Sequence, residues 1–201
     1  MLILIFSIQD DKFTFMFFRL ITLALLGFAL IAPAQAQYHS SYAATELAFT
    51  EISRQSRIFL GARGGWRFRN DVSIGGNLYT LLSTSPLSGS FSSRADSFQV
   101  MYGGPTIGYT ILRTQGFEVS VNVLFGLGGL GLRYRDPQVE ARRYDMFVTV
   151  QPEVLLLANV SSSFRLFAAG SYRYVTGVNT IGYSDEFLSE AGAAVGFLFS
   201  L

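Results

Sequence analysis

The side chains best suited to chemistry in this 201-residue chain are four arginines and four polar partners that fall on one parity of its alternating segments: Arg63, Arg67, Arg165 and Arg173, with Glu118, Gln151, Glu153 and Glu190. Charged groups taken out of water persist only when paired and hydrogen-bonded. Residues of these types projecting into one enclosed space therefore imply an internal ion-pair and amide network. A small-molecule site in the same space is the functional alternative. Acyl or acid–base chemistry needs a nucleophile and a base within hydrogen-bond reach, usually with histidine as the base. The sole histidine, His39, is expected ahead of every strand, and no strand end gathers a serine beside it. No spacing of His, Asp and Glu suits a metal. The lack of cysteine removes disulfides, thiolate nucleophiles and thiolate ligands. Asp185-Glu186 reads as a solvated loop pair. Gly126-Leu127-Gly128-Gly129-Leu130-Gly131 approaches a phosphate-binding loop, but no helix follows to supply an anion-binding N-terminus and no Gly-Lys-Ser/Thr is present, so these read as strand glycines. No catalytic, cofactor-binding or metal-ligating residue is expected, and no cofactor.

The elements that must position these side chains are strands. From Tyr38 onward the apolar residues recur at period two rather than at the helical period. Phe117, Val119, Val121, Val123, Phe125 and Leu127 point one way and Glu118, Ser120, Asn122 and Leu124 the other. Met146, Val148, Val150, Val154 and Leu156 oppose Asp145, Thr149, Gln151 and Glu153. Leu166, Tyr172 and Tyr174 oppose Arg165 and Arg173, and Ile58, Leu60 and Trp66 oppose Arg57, Arg63 and Arg67. The full pattern predicts eight strands, at 42–50, 57–68, 72–83, 98–112, 117–133, 144–159, 164–175 and 189–201. Many exceed the five or six residues usual in soluble proteins and match strands that cross a bilayer at a tilt. The connections 69–71, 113–116 and 160–163 are short, whereas 84–97, 134–143 and 176–188 are long. Such alternation puts the short turns on one rim of an up-and-down barrel and the long loops on the other. The hairpin 51–56 is a short member of the long-loop rim. Closure is what hydrocarbon demands, because an open sheet edge leaves unsatisfied backbone groups. Pro152 lies in a strand paired on both sides, which predicts a bulge there.

Composition limits the partners. After residue 36 thirteen arginines face twelve acids, with no basic run of the kind that tracks a nucleic acid, so none is expected. The apolar run 20–31 is twelve residues long, short for a transmembrane helix but right for the core of a signal peptide. Arg19 stands before it, and Ala34-Gln35-Ala36 is a small-x-small cleavage site. The expectation is a signal-peptide region at 1–36, with Met16 as the true start, and a mature barrel domain at 37–201. A retained anchor over 13–31 is the alternative.

Several segments resemble known proteins. Val195, Phe197, Phe199 and Leu201, at every second position, look like the C-terminal signal read by the outer-membrane barrel-assembly machinery, although most members end in phenylalanine. Tyr102-Gly103-Gly104-Pro105, Leu127-Gly128-Gly129-Leu130-Gly131, Phe164-Arg165-Leu166 and the stretch from Ser171-Tyr172-Arg173-Tyr174 to Val178 are similar to a largely uncharacterised family of small outer-membrane β-barrel proteins of the Bacteroidota, with OmpA/OmpX-like architecture. The resemblance spans most of 57–201. It implies the cell outer membrane, contact with lipid and lipopolysaccharide, and no catalytic motif.

The expected fold class is all-β: an eight-stranded antiparallel up-and-down transmembrane barrel, structural or surface-binding in role, with any ligand held by its long loops. Two readings compete with it. A secreted or periplasmic barrel carrying a small hydrophobic ligand would be polar outside and apolar inside. A barrel enzyme would act on lipid or peptide.

Overall fold

The computed structural model describes residues 38–52, 55–69, 71–82, 95–134, 143–178 and 185–200. The expected signal region 1–36, most of the serine-rich loop 84–97, the centre of the loop 134–143 and Leu201 lie outside the described residues.

Eight strands close into one antiparallel barrel in sequence order. They are β1 (Tyr38–Ile52), β2 (Gln55–Phe68), β3 (Val72–Leu81), β4 (Ala95–Arg113), β5 (Phe117–Tyr134), β6 (Arg143–Asn159), β7 (Phe164–Thr176) and β8 (Glu190–Ser200), with a 3-10 turn at Asp185–Phe187. β1 begins four residues before the expected boundary, at 38 rather than 42, so His39 lies within a strand and not ahead of it. The glycine run 126–131 is inside β5, in strand conformation.

The register fixes the barrel's shape. Ser40 pairs with Arg67, Arg67 with Ser73, Ser73 with Gly108, Gly108 with Asn122, Asn122 with Glu153, Glu153 with Ser171, Ser171 with Gly192 and Gly192 with Thr50. One circuit thus returns to β1 about ten residues higher. For eight strands that stagger sets a tilt of about 40° and a radius of about 8 Å, an interior that side chains can fill.

Proline perturbs this sheet without shifting it. Pro152 stays in register with Val123 of β5, and the β6–β7 register is the same before and after it. The expected bulge is therefore not formed. The paired ladder to β7 skips residues 151 and 152, and Pro105 leaves the matching gap toward β5. A missing N–H removes a rung on one side, and neighbouring rungs hold the strand in place.

The outward face is apolar. Leu127 is 63% exposed, Val154 52% and Phe197 48%, far more hydrocarbon than a soluble wall presents. Along β6 this wall runs from Met146 to Ala158, a height of roughly 30 Å at the usual rise and tilt, close to a bilayer's hydrocarbon thickness. Phe117, Phe164, Phe199 and Tyr109 ring the short-turn side, and Tyr172 and Tyr174 stand nearer the long-loop side. Aromatic girdles of this kind sit at both membrane interfaces in outer-membrane barrels.

The inward face is not uniformly polar, which departs from the expectation. Ile52, Phe59, Leu81, Leu130, Phe147 and Leu188 belong to an apolar cluster toward the long-loop end. A second cluster, including Leu155, Leu157, Phe167 and Leu198, lines the β6–β7–β8 side. Sequence alternation identifies a face without saying whether its apolar members meet lipid or one another.

Candidate functional site

The interior polar residues form three tiers. At the short-turn end Arg67 grips Glu118 through two nitrogens, at 2.6 and 3.1 Å. Arg113 Nε and Arg165 Nη1 donate to the same carboxylate at 3.3 and 3.4 Å, and the hydroxyls of Thr110 and Ser120 donate to it at 3.3 and 3.2 Å. Arg113 also reaches Asp71 at 2.8 Å. Asp71 closes the β2–β3 turn with φ of 64°, a left-handed conformation that aspartate tolerates better than most residues.

The middle tier is built around Arg63. Its Nη2 donates to both oxygens of Glu46, at 2.6 and 2.8 Å, and its Nη1 donates to Glu153 at 2.6 Å. Tyr79 Oη lies 3.2 Å from Nη2, Asn122 donates to Glu153 at 3.1 Å, and the Phe167 ring lies under the guanidinium at 5.1 Å. The side chains of Arg63 and Glu46 are only 4% and 0% exposed. Two carboxylates on one guanidinium here, against three guanidiniums on Glu118 and Asp71 below, leave opposite unit surpluses in adjacent tiers. The two tiers offset each other.

The upper tier centres on Arg173. Its Nε donates to the Leu188 carbonyl at 2.8 Å and its Nη1 to Tyr102 Oη at 3.3 Å, while its guanidinium lies over the rings of Tyr102 and Phe59 at 5.1 and 5.3 Å. Tyr102 donates to Gln151 at 3.0 Å, and Gln151 donates to Ser171 at 3.2 Å. Tyr102 stacks on Tyr79 at 4.9 Å, which joins this tier to the one below. Glu190 faces Arg173 across the β7–β8 ladder but forms no ion pair with it; both line a cavity of about 20 Å³. That volume suits a single water molecule.

All eight side chains singled out from the sequence point inward, in three groups: Arg67, Arg165 and Glu118; Arg63 and Glu153; Arg173, Gln151 and Glu190. Sequence parity did not single out Glu46, although it alternates with Leu47 and Phe49 inside an expected strand and so was findable. Tyr79 and Tyr102 carried no such signal, because tyrosine suits a membrane interface as well as a lumen.

Glycines make room for the larger members. A Cβ on Gly61 would lie 2.6 Å from Glu46 Cγ and 2.8 Å from Tyr79, and one on Gly128 would lie 2.2 Å from the tip of the Phe147 ring. Among the described residues no group of three or more His, Asp or Glu side chains converges as metal ligands do. The chemistry this interior supports is charge pairing and closure.

No protein-family model matches the chain, and no curated protein matches it. Solved structures do. The chain is similar to Neisserial surface protein A, at 13% identity and a TM-score of 0.60, over 80% of this chain and 94% of that one. It is similar to the N-terminal β-barrel domain of Pseudomonas aeruginosa OprF, at 11% identity and 0.58, over 82% and 99%. The attachment invasion locus protein Ail of Yersinia pestis aligns at 11% identity and 0.52, over 81% and 97%. Likeness at these identities establishes the shared fold, an eight-stranded barrel of the outer-membrane type.

Proposed function

We propose that the chain is an integral outer-membrane protein whose closed barrel is a structural element of the envelope and a platform for its long loops. The observation that carries this reading is the outward wall: an uncharged apolar belt around all eight strands, backed by an interior whose lower and middle tiers pair their charges. A soluble carrier needs the reverse polarity. The interior network has a structural role, with no catalytic one assigned to it.

Export completes the proposal. Residues 1–36 act as a signal region, translation starts at Met16, and the mature chain is 37–201. Outer-membrane lipid and lipopolysaccharide surround the belt, and the barrel-assembly machinery reads Val195, Phe197 and Phe199 on β8. The short sequence segments noted above favour the Bacteroidota family of small barrels. A surface-binding role has its own support. β4 continues down to Ala95 and β5 up to Tyr134, still paired with each other, whereas the β3–β4 ladder ends at Thr80 and Met101. The open end of this strand pair extends beyond the belt on the long-loop rim, where a ligand would meet it. Ail, of the same fold, has been solved with the heparin analogue sucrose octasulfate.

Fractionation tests the proposal. The protein should be recovered with detergent-extracted outer membrane and run with heat-modifiable mobility, and its intact mass should begin at Gln37. Recovery as a soluble periplasmic monomer would refute the membrane assignment, and residues 1–15 on the mature chain would refute the start site.

A further inference from the structure

The short-turn rim carries a feature that anchoring does not use. Between the β4–β5 and β6–β7 turns lies an open recess of about 390 Å³, lined by Gln115, Asn159, Val160, Ser161, Ser162 and Arg165. Its two walls are tied together: Asn159 N donates to the Gly116 carbonyl at 2.9 Å, and Asn159 Nδ2 donates to the Gln115 carbonyl at 3.1 Å. The recess is therefore formed before any ligand arrives.

Its lining is rich in donors and holds no carboxylate. Ser161 Oγ accepts from the backbone N–H of Phe164 at 3.1 Å and of Ser163 at 3.4 Å, which leaves its own proton to give. Arg165 is the least committed guanidinium of the lower tier. It holds Glu118 through one 3.4 Å contact, while Arg67 grips that carboxylate bidentately and Arg113 shares itself between Glu118 and Asp71. Glu118 lies behind Arg165, 2% exposed and already shared among three arginines, so the recess sees net positive charge.

We propose that this recess binds the free carboxylate end of a peptide. One guanidinium with neutral hydroxyls and amides beside it matches a planar monoanion; a phosphate dianion would want a second uncommitted cation, and Arg113 is engaged. The recess is open and has room beyond a bare carboxylate, so an anion carried on a larger body, as at a peptide end, can seat there. In outer-membrane barrels the short turns face the periplasm.

The test is amide NMR on the folded, 15N-labelled barrel in detergent micelles, titrated with N-acetyl-Ala-Ala, its C-terminal amide, acetate and inorganic phosphate. N-acetyl-Ala-Ala should give saturable shifts confined to residues 115–116 and 159–165, with the amide inert and acetate and phosphate at least tenfold weaker. Arg165→Gln, checked for heat-modifiable mobility, should weaken the peptide at least tenfold. Equal binding by acetate, tighter binding by phosphate, undiminished binding by the peptide amide or by Arg165→Gln, or no saturable shifts at those residues would each overturn the proposal. The ligand series on the unmodified barrel decides the matter even if the variant fails to fold.

Discussion

Arg63 shows how a charge is kept inside a membrane barrel. Its two carboxylate partners come from the neighbouring strand β1 and from β6, which lies opposite β2 across the lumen, so the Glu153 pair braces the cylinder across its width. Removing one member of a buried pair leaves the other uncompensated, at a cost of about 3 to 5 kcal/mol. Arg63→Met strands both Glu46 and Glu153 and should reach that range in equilibrium unfolding from micelles. Glu118→Gln keeps the shape but turns one accepting oxygen into a donor that faces arginines; because Arg113 and Arg165 keep some solvent access, it should cost only about 1 to 3 kcal/mol, with insertion intact. Equal losses at the two sites would mean that the middle tier does not brace the wall. The inward arginines were legible from the alternation of β2 and β7 alone. Glu46 follows from the same rule, but Arg173's carbonyl acceptor on Leu188 does not, because it depends on how a long connection folds back.

At the scale of the strand, side-chain size alternates across the ladder as well as along it. Gly128 is paired with Phe147, and the ring occupies the space that a Cβ would need. Gly128→Ala should push Phe147 out of its rotamer and cost about 1 to 3 kcal/mol, a typical penalty for overpacking. Restoring space with Phe147→Leu in the same chain should recover part of it. A neutral Gly128→Ala would show that the ring moves freely. Strand order, pairing and both rims were readable from period two and from loop length, and β5 and β7 match their expected bounds within one residue. β6 was harder to divide, since Leu155, Leu156 and Leu157 interrupt the alternation with one lipid-facing residue between two inward ones. The expectation at Pro152 failed for a reason no local rule contains: rungs on both sides of the proline hold the register through a single lost bond.

For the molecule as a whole, the interior closes in two different ways. Ion pairs fill the short-turn end and the middle, and an apolar cluster with the deeply buried Leu188 fills the long-loop end. Purified protein in planar bilayers should therefore show no large, steady conductance, and openings of porin size would require a wider or oligomeric assembly. The decisive property of the barrel is which face meets lipid. The chain has no cysteine, so single probes can be placed without altering it otherwise. Spin labels at Val123 and Val150, both on the outward face of mid-barrel strands, give the most direct test by collision with lipid-soluble oxygen and with a water-soluble nickel chelate. The barrel described above predicts strong oxygen quenching and protection from nickel at both positions. Protection from oxygen with free access to nickel, or immobilisation of both labels against other side chains, would contradict it and turn the barrel inside out.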